Sequence, residues 1–226
     1  MSNLRDAIVR MALRRPYLYL LVTLVISIVL MEVLVEIAEH TFIKPALQQL
    51  ELQFIAYVQQ FVTPPLTAEV MLVTASGSST FYLLASALVC CWYLYSRQKD
   101  RLYLYLVCLC GGGILNQVLK RIFERVRPDI FPVIAESGYS FPSGHAMGAI
   151  CFYGILAYFA GLGLRSKPLR WGLMAAAGIY ILLIGLSRVY LGVHYPTDIL
   201  AGYAAGATWL FLSLIHISEP TRPLYI

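Results

Sequence analysis

The chain has 226 residues, of which 59% are hydrophobic and only 13% charged, and its mean hydropathy is +0.72. A soluble domain of this size carries about a quarter charged residues, so the composition excludes an ordinary soluble enzyme. The net charge of +5 does not point to nucleic acid, because most basic residues sit in short loops between apolar runs, where they set topology or bind anions.

The apolar runs approach bilayer length, which predicts an all-α, polytopic membrane protein with six transmembrane helices in one bundle. Residues 1–16 form a basic N-terminus containing Arg5, Arg10, Arg14 and Arg15. Pro16 opens the first span, Tyr17 to Ile37, which is too long for a signal-peptide core and lacks a small-residue cleavage site after it. Glu32, Glu36 and Glu39 share one helical face at its end, an interfacial arrangement with Lys44 in reach. Residues 46–62 are amphipathic. Leu47, Leu50, Phe54, Val58 and Phe61 recur at helical spacing among Gln and Glu side chains, as in a helix on the membrane surface or over the bundle mouth. Thr63-Pro64-Pro65 breaks it.

A short segment, Leu66 to Ala75, and a Ser-Gly-Ser-Ser turn precede the second span, Thr80 to Tyr95. The third span is Leu102 to Leu119, with Gly111-Gly112-Gly113 inside it for close helix packing. A polar segment, Lys120 to Phe141, leads to the fourth span, Ser143 to Leu164. The fifth runs from Trp171 to Ser187 and the sixth from Asp198 to about Ile215. Cys90, Cys91, Cys108, Cys110 and Cys151 all fall in apolar runs, with neither metal-ligand spacing nor a disulfide pattern. The stretch from Ser213 resembles the translation of a sequencing-library adapter, and residues 213–226 are expected to be non-native. The expected organisation is thus residues 1–16, then 17–65 as first helix and interfacial segment, then 66–212 as the core domain, then the tail.

An even number of spans puts both termini on one side, and the basic N-terminus and second and fourth loops make that side cytoplasmic. The third loop breaks the rule with Lys120, Arg121, Arg125 and Arg127. Anion binding there accounts for the exception.

Charged and titratable residues cluster at the ends of the later spans, where proximity to hydrocarbon makes them expensive. Lys120 and Arg127 are seven apart, two turns if the segment is helical, with Pro128 ending that element. A guanidinium grips two phosphate oxygens and an ammonium adds a movable charge, although a topology anchor has the same composition. Pro142-Ser143-Gly144-His145 opens the fourth span. Ser143 fits a simple N-cap, yet a helix start also offers free N–H groups to an anion, and Gly144 lets a ligand approach. Arg188 follows the fifth span, and His194 and Asp198 are four apart around Pro196. The carboxylate can hold one ring nitrogen and leave the other as a lone pair, or the pair can simply tie two spans together.

In combination, the cations, the serine, the helix start, the two histidines and the aspartate fit a phosphoryl-transfer site. No Asp, Glu or His group has metal-ligand spacing, so neither a metal nor another cofactor is expected. Lys120-x6-Arg127-Pro128, Pro142-Ser143-Gly144-His145 and Ser187-Arg188-x5-His194-x3-Asp198 resemble the three-part signature of the type-2 phosphatidic acid phosphatase family. The resemblance covers about residues 70–212, with Thr74 to Ser78 fitting loosely.

It implies a metal-independent membrane enzyme that removes phosphate from lipids, similar to bacterial phosphatidylglycerophosphate and undecaprenyl-diphosphate phosphatases. By position, it makes His194 the nucleophile of a phosphohistidine, Asp198 its orienting group, and His145 the general acid and then base. It assigns Lys120, Arg127, Ser143, Gly144 and Arg188 to the phosphate. Its substrate and partner is a membrane lipid within the bilayer, with catalysis on the extracytoplasmic side of a bacterial plasma membrane. Transfer of the same phosphoryl group to another lipid or sugar is the alternative enzymatic reading. A non-enzymatic lipid-phosphate binding or transport protein needs the cations but not both histidines and Asp198.

Overall fold

The computed structural model describes residues 16–129 and 132–215; the basic N-terminal residues before Pro16 and the tail beyond Ile215 lie outside the described residues. Among the described residues all regular structure is helical. In chain order the helices are α1 (Pro16–Ile43), α2 (Pro45–Gln59), α3 (Pro64–Ala75), α4 (Ser79–Tyr95), α5 (Lys99–Phe123), α6 (Gly144–Gly163), α7 (Lys167–Tyr190) and α8 (Pro196–Ile215).

Helices α1, α5, α6, α7 and α8 are each long and apolar enough to cross a bilayer. Helix α4 has only 17 residues. Together with α3, from which it is bent by 49°, it is long and apolar enough for a sixth crossing. The expected second span is therefore a broken one. Its break is a polar turn, where Ser78 caps α4 by accepting a hydrogen bond from the Phe81 N–H at 3.2 Å. The first span runs past its expected end, to Ile43. Lys44 meets His40 at 3.1 Å, where a glutamate partner was expected.

The helices pack through small residues. On α8, a Cβ at Gly202 would lie 2.7 Å from the Ser143 carbonyl oxygen, and one at Gly206 would lie 2.9 Å from that of Met147. Glycine at both positions lets α8 close on the start of α6. Ala201, Ala204 and Ala205 of α8 pack in one cluster with Leu34 and Ala38 of α1. Gly111 serves the same purpose on α5, because a Cβ there would collide with the Trp209 ring. The glycine run is thus packing material at Gly111 and Gly112, while Gly113 faces open space.

Three aromatic rings pin one end of the bundle. Phe42 of α1 stacks on Phe123 of α5 at 5.5 Å, and Phe123 meets Phe141 edge-on at 4.9 Å. Phe141 is fully buried. It anchors the end of the α5–α6 loop immediately before Ser143.

Candidate active site

Helices α5 and α7 end, and α6 and α8 begin, at one end of the bundle. All three sequence clusters therefore converge there. A cavity of about 430 Å³ opens between them, and its walls include Lys120, Arg127, Gly144, His145 and His194. Ser143, Arg188 and Asp198 stand behind this wall, fully or almost fully buried.

Lys120 lies in the last turn of α5 and donates from Nζ to the Tyr139 carbonyl. Two further turns of helix were expected to align it with Arg127. Instead α5 stops at Phe123, with Glu124 left-handed at φ 46° and its N–H on the Lys120 carbonyl. Pro128 disfavours helix at the residue before it, so the chain folds back as a loop. Arg127 returns to the site through that loop. Its Nε donates to the Gly138 carbonyl at 3.0 Å and its Nη1 to the Val193 carbonyl at 2.9 Å.

Ser143 is the N-cap of α6, its Oγ accepting from the Ala146 N–H at 3.5 Å. Its own N–H donates to the Asp198 carbonyl at 2.9 Å, which ties the starts of α6 and α8 together. His145 follows on the first turn and faces the cavity.

Residues 191–195 carry the chain from α7 to α8, with Gly192 at φ 71°, a conformation that favours glycine. His194 precedes the helix, and Asp198 reaches back to it from the first turn of α8. His194 Nδ1 lies 3.3 Å from Asp198 Oδ2, and His194 Nε2 lies 3.2 Å from Arg127 Nη1. A guanidinium only donates, so Nε2 is the acceptor and the ring proton sits on Nδ1, facing the carboxylate. Burial pushes the His194 imidazole down to about 4, against the opposing pull of Asp198. His194 is consequently neutral near pH 7, with its Nε2 lone pair directed at the cationic side of the cavity.

Arg188 is 1% exposed, and both terminal nitrogens are engaged. Nη1 donates to Thr74 Oγ1 at 2.6 Å and Nη2 to Glu136. Glu136 also pairs with Arg127 at 2.9 Å, so one carboxylate bridges two guanidiniums at the cavity wall. Burial pushes the Glu136 carboxyl up, but Arg188, Arg127 and His145 outweigh it and hold it below the usual range. Among the described residues, no three His, Cys, Asp or Glu side chains gather closely enough to hold a metal ion.

Residues 101–221 match the PAP2 superfamily. The chain belongs to the PAP2 superfamily. It is 40% identical over 154 residues to phosphatidylglycerophosphatase B of Bacillus subtilis, a match covering 67% of this chain and 75% of that one. It is 34% identical over 123 residues to the undecaprenyl-diphosphatase of Sulfolobus acidocaldarius, covering 53% of this chain and 54% of that one. Its fold matches the crystal structure of the first transmembrane PAP2 type phosphatidylglycerolphosphate phosphatase from Bacillus subtilis. There the TM-score is 0.79 at 31% identity, over 87% of this chain and 98% of that one. The protein is thus an integral membrane member of the PAP2 superfamily.

Several residues around this PAP2 site carried no sequence signal of their own. Asn116 and Gln117 line the cavity beside Lys120. Asn116 also donates from Nδ2 to the Pro142 carbonyl at 3.3 Å, and so steadies the turn before Ser143. Glu136 lies in the polar loop, where nothing in its neighbours distinguishes a bridging carboxylate from a solvated one. Thr74 fell within the stretch that loosely fits the family pattern. Its contact with Arg188 joins the end of α3 to the site.

Proposed function

We propose that this PAP2 protein is a metal-independent lipid phosphatase that hydrolyses a lipid monophosphate or diphosphate through a phosphohistidine on His194. The observation that carries the reading is the disposition of His194: Nδ1 on a buried carboxylate, Nε2 toward a cavity walled by Lys120, Arg127 and His145. In the first step Nε2 attacks phosphorus. The P–O bond to the lipid breaks, and His145 gives its proton to the departing oxygen. In the second step His145 takes a proton from water, the resulting hydroxide attacks the phosphohistidine, and inorganic phosphate leaves with Nε2 restored. Asp198 holds the Nδ1 proton and stabilises the charge that forms on the ring.

Lys120, Arg127 and the start of α6 at Ser143 and Gly144 receive the phosphate oxygens. Arg188 reaches them once Glu136 gives way. Arg127 covers the Nε2 lone pair and Glu136 occupies both guanidiniums. A phosphate dianion takes the place of that carboxylate and draws Arg127 off the nucleophile.

The site lies at the extracytoplasmic side of a bacterial plasma membrane. Arg97, Lys99 and Arg101, and Arg165, Lys167 and Arg170, all flank the opposite ends of the spans, which is the cytoplasmic side by the positive-inside rule. The substrate is phosphatidylglycerophosphate, phosphatidate or undecaprenyl diphosphate. Assays of the three side by side with purified protein rank them. His194→Ala abolishes phosphate release, and an acid-labile phosphoryl label forms on the wild type but not on this variant. Substantial turnover by His194→Ala would refute the mechanism.

A further inference from the structure

The geometry points to Glu51 and Arg125 as positioning residues that set the orientation of Asp198, and through it that of His194. This inference rests on the phosphohistidine reading above. It adds the amphipathic helix α2 to the catalytic apparatus.

Asp198 is fully buried, and each carboxylate oxygen has its own set of donors. Oδ2 accepts from Tyr195 N–H at 2.9 Å and Ser140 Oγ at 2.7 Å, besides facing His194. Oδ1 accepts from Arg125 Nη1 at 2.6 Å. The hydrogen bond on Oδ1 fixes the rotation of the carboxyl plane and so the direction in which Oδ2 presents to His194. It also compensates a charge that would otherwise be buried against a neutral imidazole.

Arg125 is itself held on three sides. Nη1 also donates to Thr197 Oγ1 at 2.8 Å, Nη2 donates to Glu51 Oε2 at 2.6 Å, and the guanidinium lies 3.8 Å over the Tyr195 ring. Glu51 comes from α2 and is 4% exposed. Its second oxygen accepts from the Thr197 N–H at 3.0 Å and from Thr197 Oγ1 at 2.6 Å. Thr197 therefore donates to Glu51 and accepts from Arg125, a closed and fully satisfied network. Thr197 is in the first turn of α8, beside Asp198, so Glu51 fixes both the arginine and the helix start that carries the carboxylate.

The test separates positioning from folding. The charged and titratable groups around the His194 cavity and behind Asp198 are Glu51 of α2, Lys120 and Arg121 of α5, Arg125, Arg127 and Glu136 of the α5–α6 loop, His145 of α6, Arg188 of α7 and Asp198 of α8. Within that set, Arg125→Gln removes a cation and Glu51→Gln removes an anion. Loss of the cation makes protonation of His194 easier, so the acid limb of kcat/KM moves to higher pH in Arg125→Gln. Loss of the anion moves it to lower pH in Glu51→Gln, and each displacement is about half a pH unit or more. The Arg125→Gln variant loses about a hundredfold in kcat, as for a misplaced reacting group, while the vanadate inhibition constant stays within about twofold of wild type. Arg125→Lys recovers part of kcat.

Unchanged kcat and acid limb in both variants, with His194→Ala inactive, would overturn the positioning role and leave the phosphohistidine reading standing. Turnover by His194→Ala would overturn that reading itself. If Arg125→Gln does not purify as a folded protein, Glu51→Gln decides: an acid limb unmoved or moved upward rejects the inference.

Discussion

Replacing Glu136 by glutamine should strengthen anion binding, which is the reverse of what loss of a buried ion pair does to a scaffold. The carboxylate bridges Arg127 at 2.9 Å and Arg188, two of the cations proposed to hold phosphate. Any incoming phosphate competes with it. Hydrogen bonds to charged groups contribute about 1.5–3 kcal/mol each, but Glu136 is 26% exposed, so solvent screening lowers its hold on the pair to about 1–2 kcal/mol. At about 1.4 kcal/mol per tenfold, the inhibition constants for orthovanadate and inorganic phosphate should fall roughly five- to thirtyfold in Glu136→Gln. The assay is competitive inhibition of lipid-phosphate hydrolysis at fixed detergent-to-lipid ratio and pH 7. The isosteric amide keeps one acceptor oxygen on the arginines, so a still larger gain is expected for Glu136→Ala provided the loop keeps its shape. Unchanged inhibition constants would place the anion elsewhere. Weaker inhibition would mean that Glu136 holds the two arginines in position for the substrate and does not compete with it.

Asp198→Asn should lower kcat by about a thousandfold or more with KM within a few-fold, because the amide no longer fixes the Nδ1–H tautomer; a change confined to KM would contradict the orienting role. The His194 imidazole must be neutral to attack, and burial holds it down at about 4. The proton that inactivates it is therefore taken up only near that pH. Protonation of His194 should leave kcat/KM level from neutrality down to about pH 5, and an acid limb at the ordinary imidazole value near 6.5 would contradict the burial argument. Turnover should survive EDTA, and inhibition reversed by added Mg²⁺ would overturn the metal-independent chemistry. Gly206→Val places a side chain where a Cβ alone would meet the Met147 carbonyl oxygen at 2.9 Å, so it should destabilise the α6–α8 contact by about 1–3 kcal/mol and lower the Tm in detergent.

The helical class and, apart from the longer end of α1, the span boundaries were legible to within about four residues, because the apolar runs are long and the bilayer fixes their length. The residues of the three clusters were legible because they are polar groups at positions where polarity is expensive. Local geometry was less so. Spacing alone aligned Lys120 with Arg127 along a helix, whereas a left-handed Glu124 ends α5 and a loop brings the arginine back. The broken second span was read as one short segment and one complete span, since the bend depends on how α3 packs against α7. Glu136 was invisible for a simpler reason. A carboxylate in a polar loop costs nothing in sequence, and only the fold puts two guanidiniums beside it.

Helix α2 shows why an amphipathic pattern is ambiguous in a membrane protein. Its apolar stripe suggested a helix lying on the membrane surface or over the bundle mouth. The outward side carries part of that stripe, with Leu50 60% and Phe54 46% exposed, while Val58 packs inward beside Ile55 and Val189. The inward side carries Ile55 and Glu51, both buried. In water an apolar stripe marks the core, but against lipid it marks the solvent, and the inward face is free to hold a satisfied polar group. The carboxylate that a soluble-protein reading assigns to a hydrated surface therefore meets Arg125, a residue 74 positions away. No local window contains both partners. What the sequence does contain is their cost, since an acidic and a basic residue without nearby partners beside long apolar spans require each other once water is withdrawn.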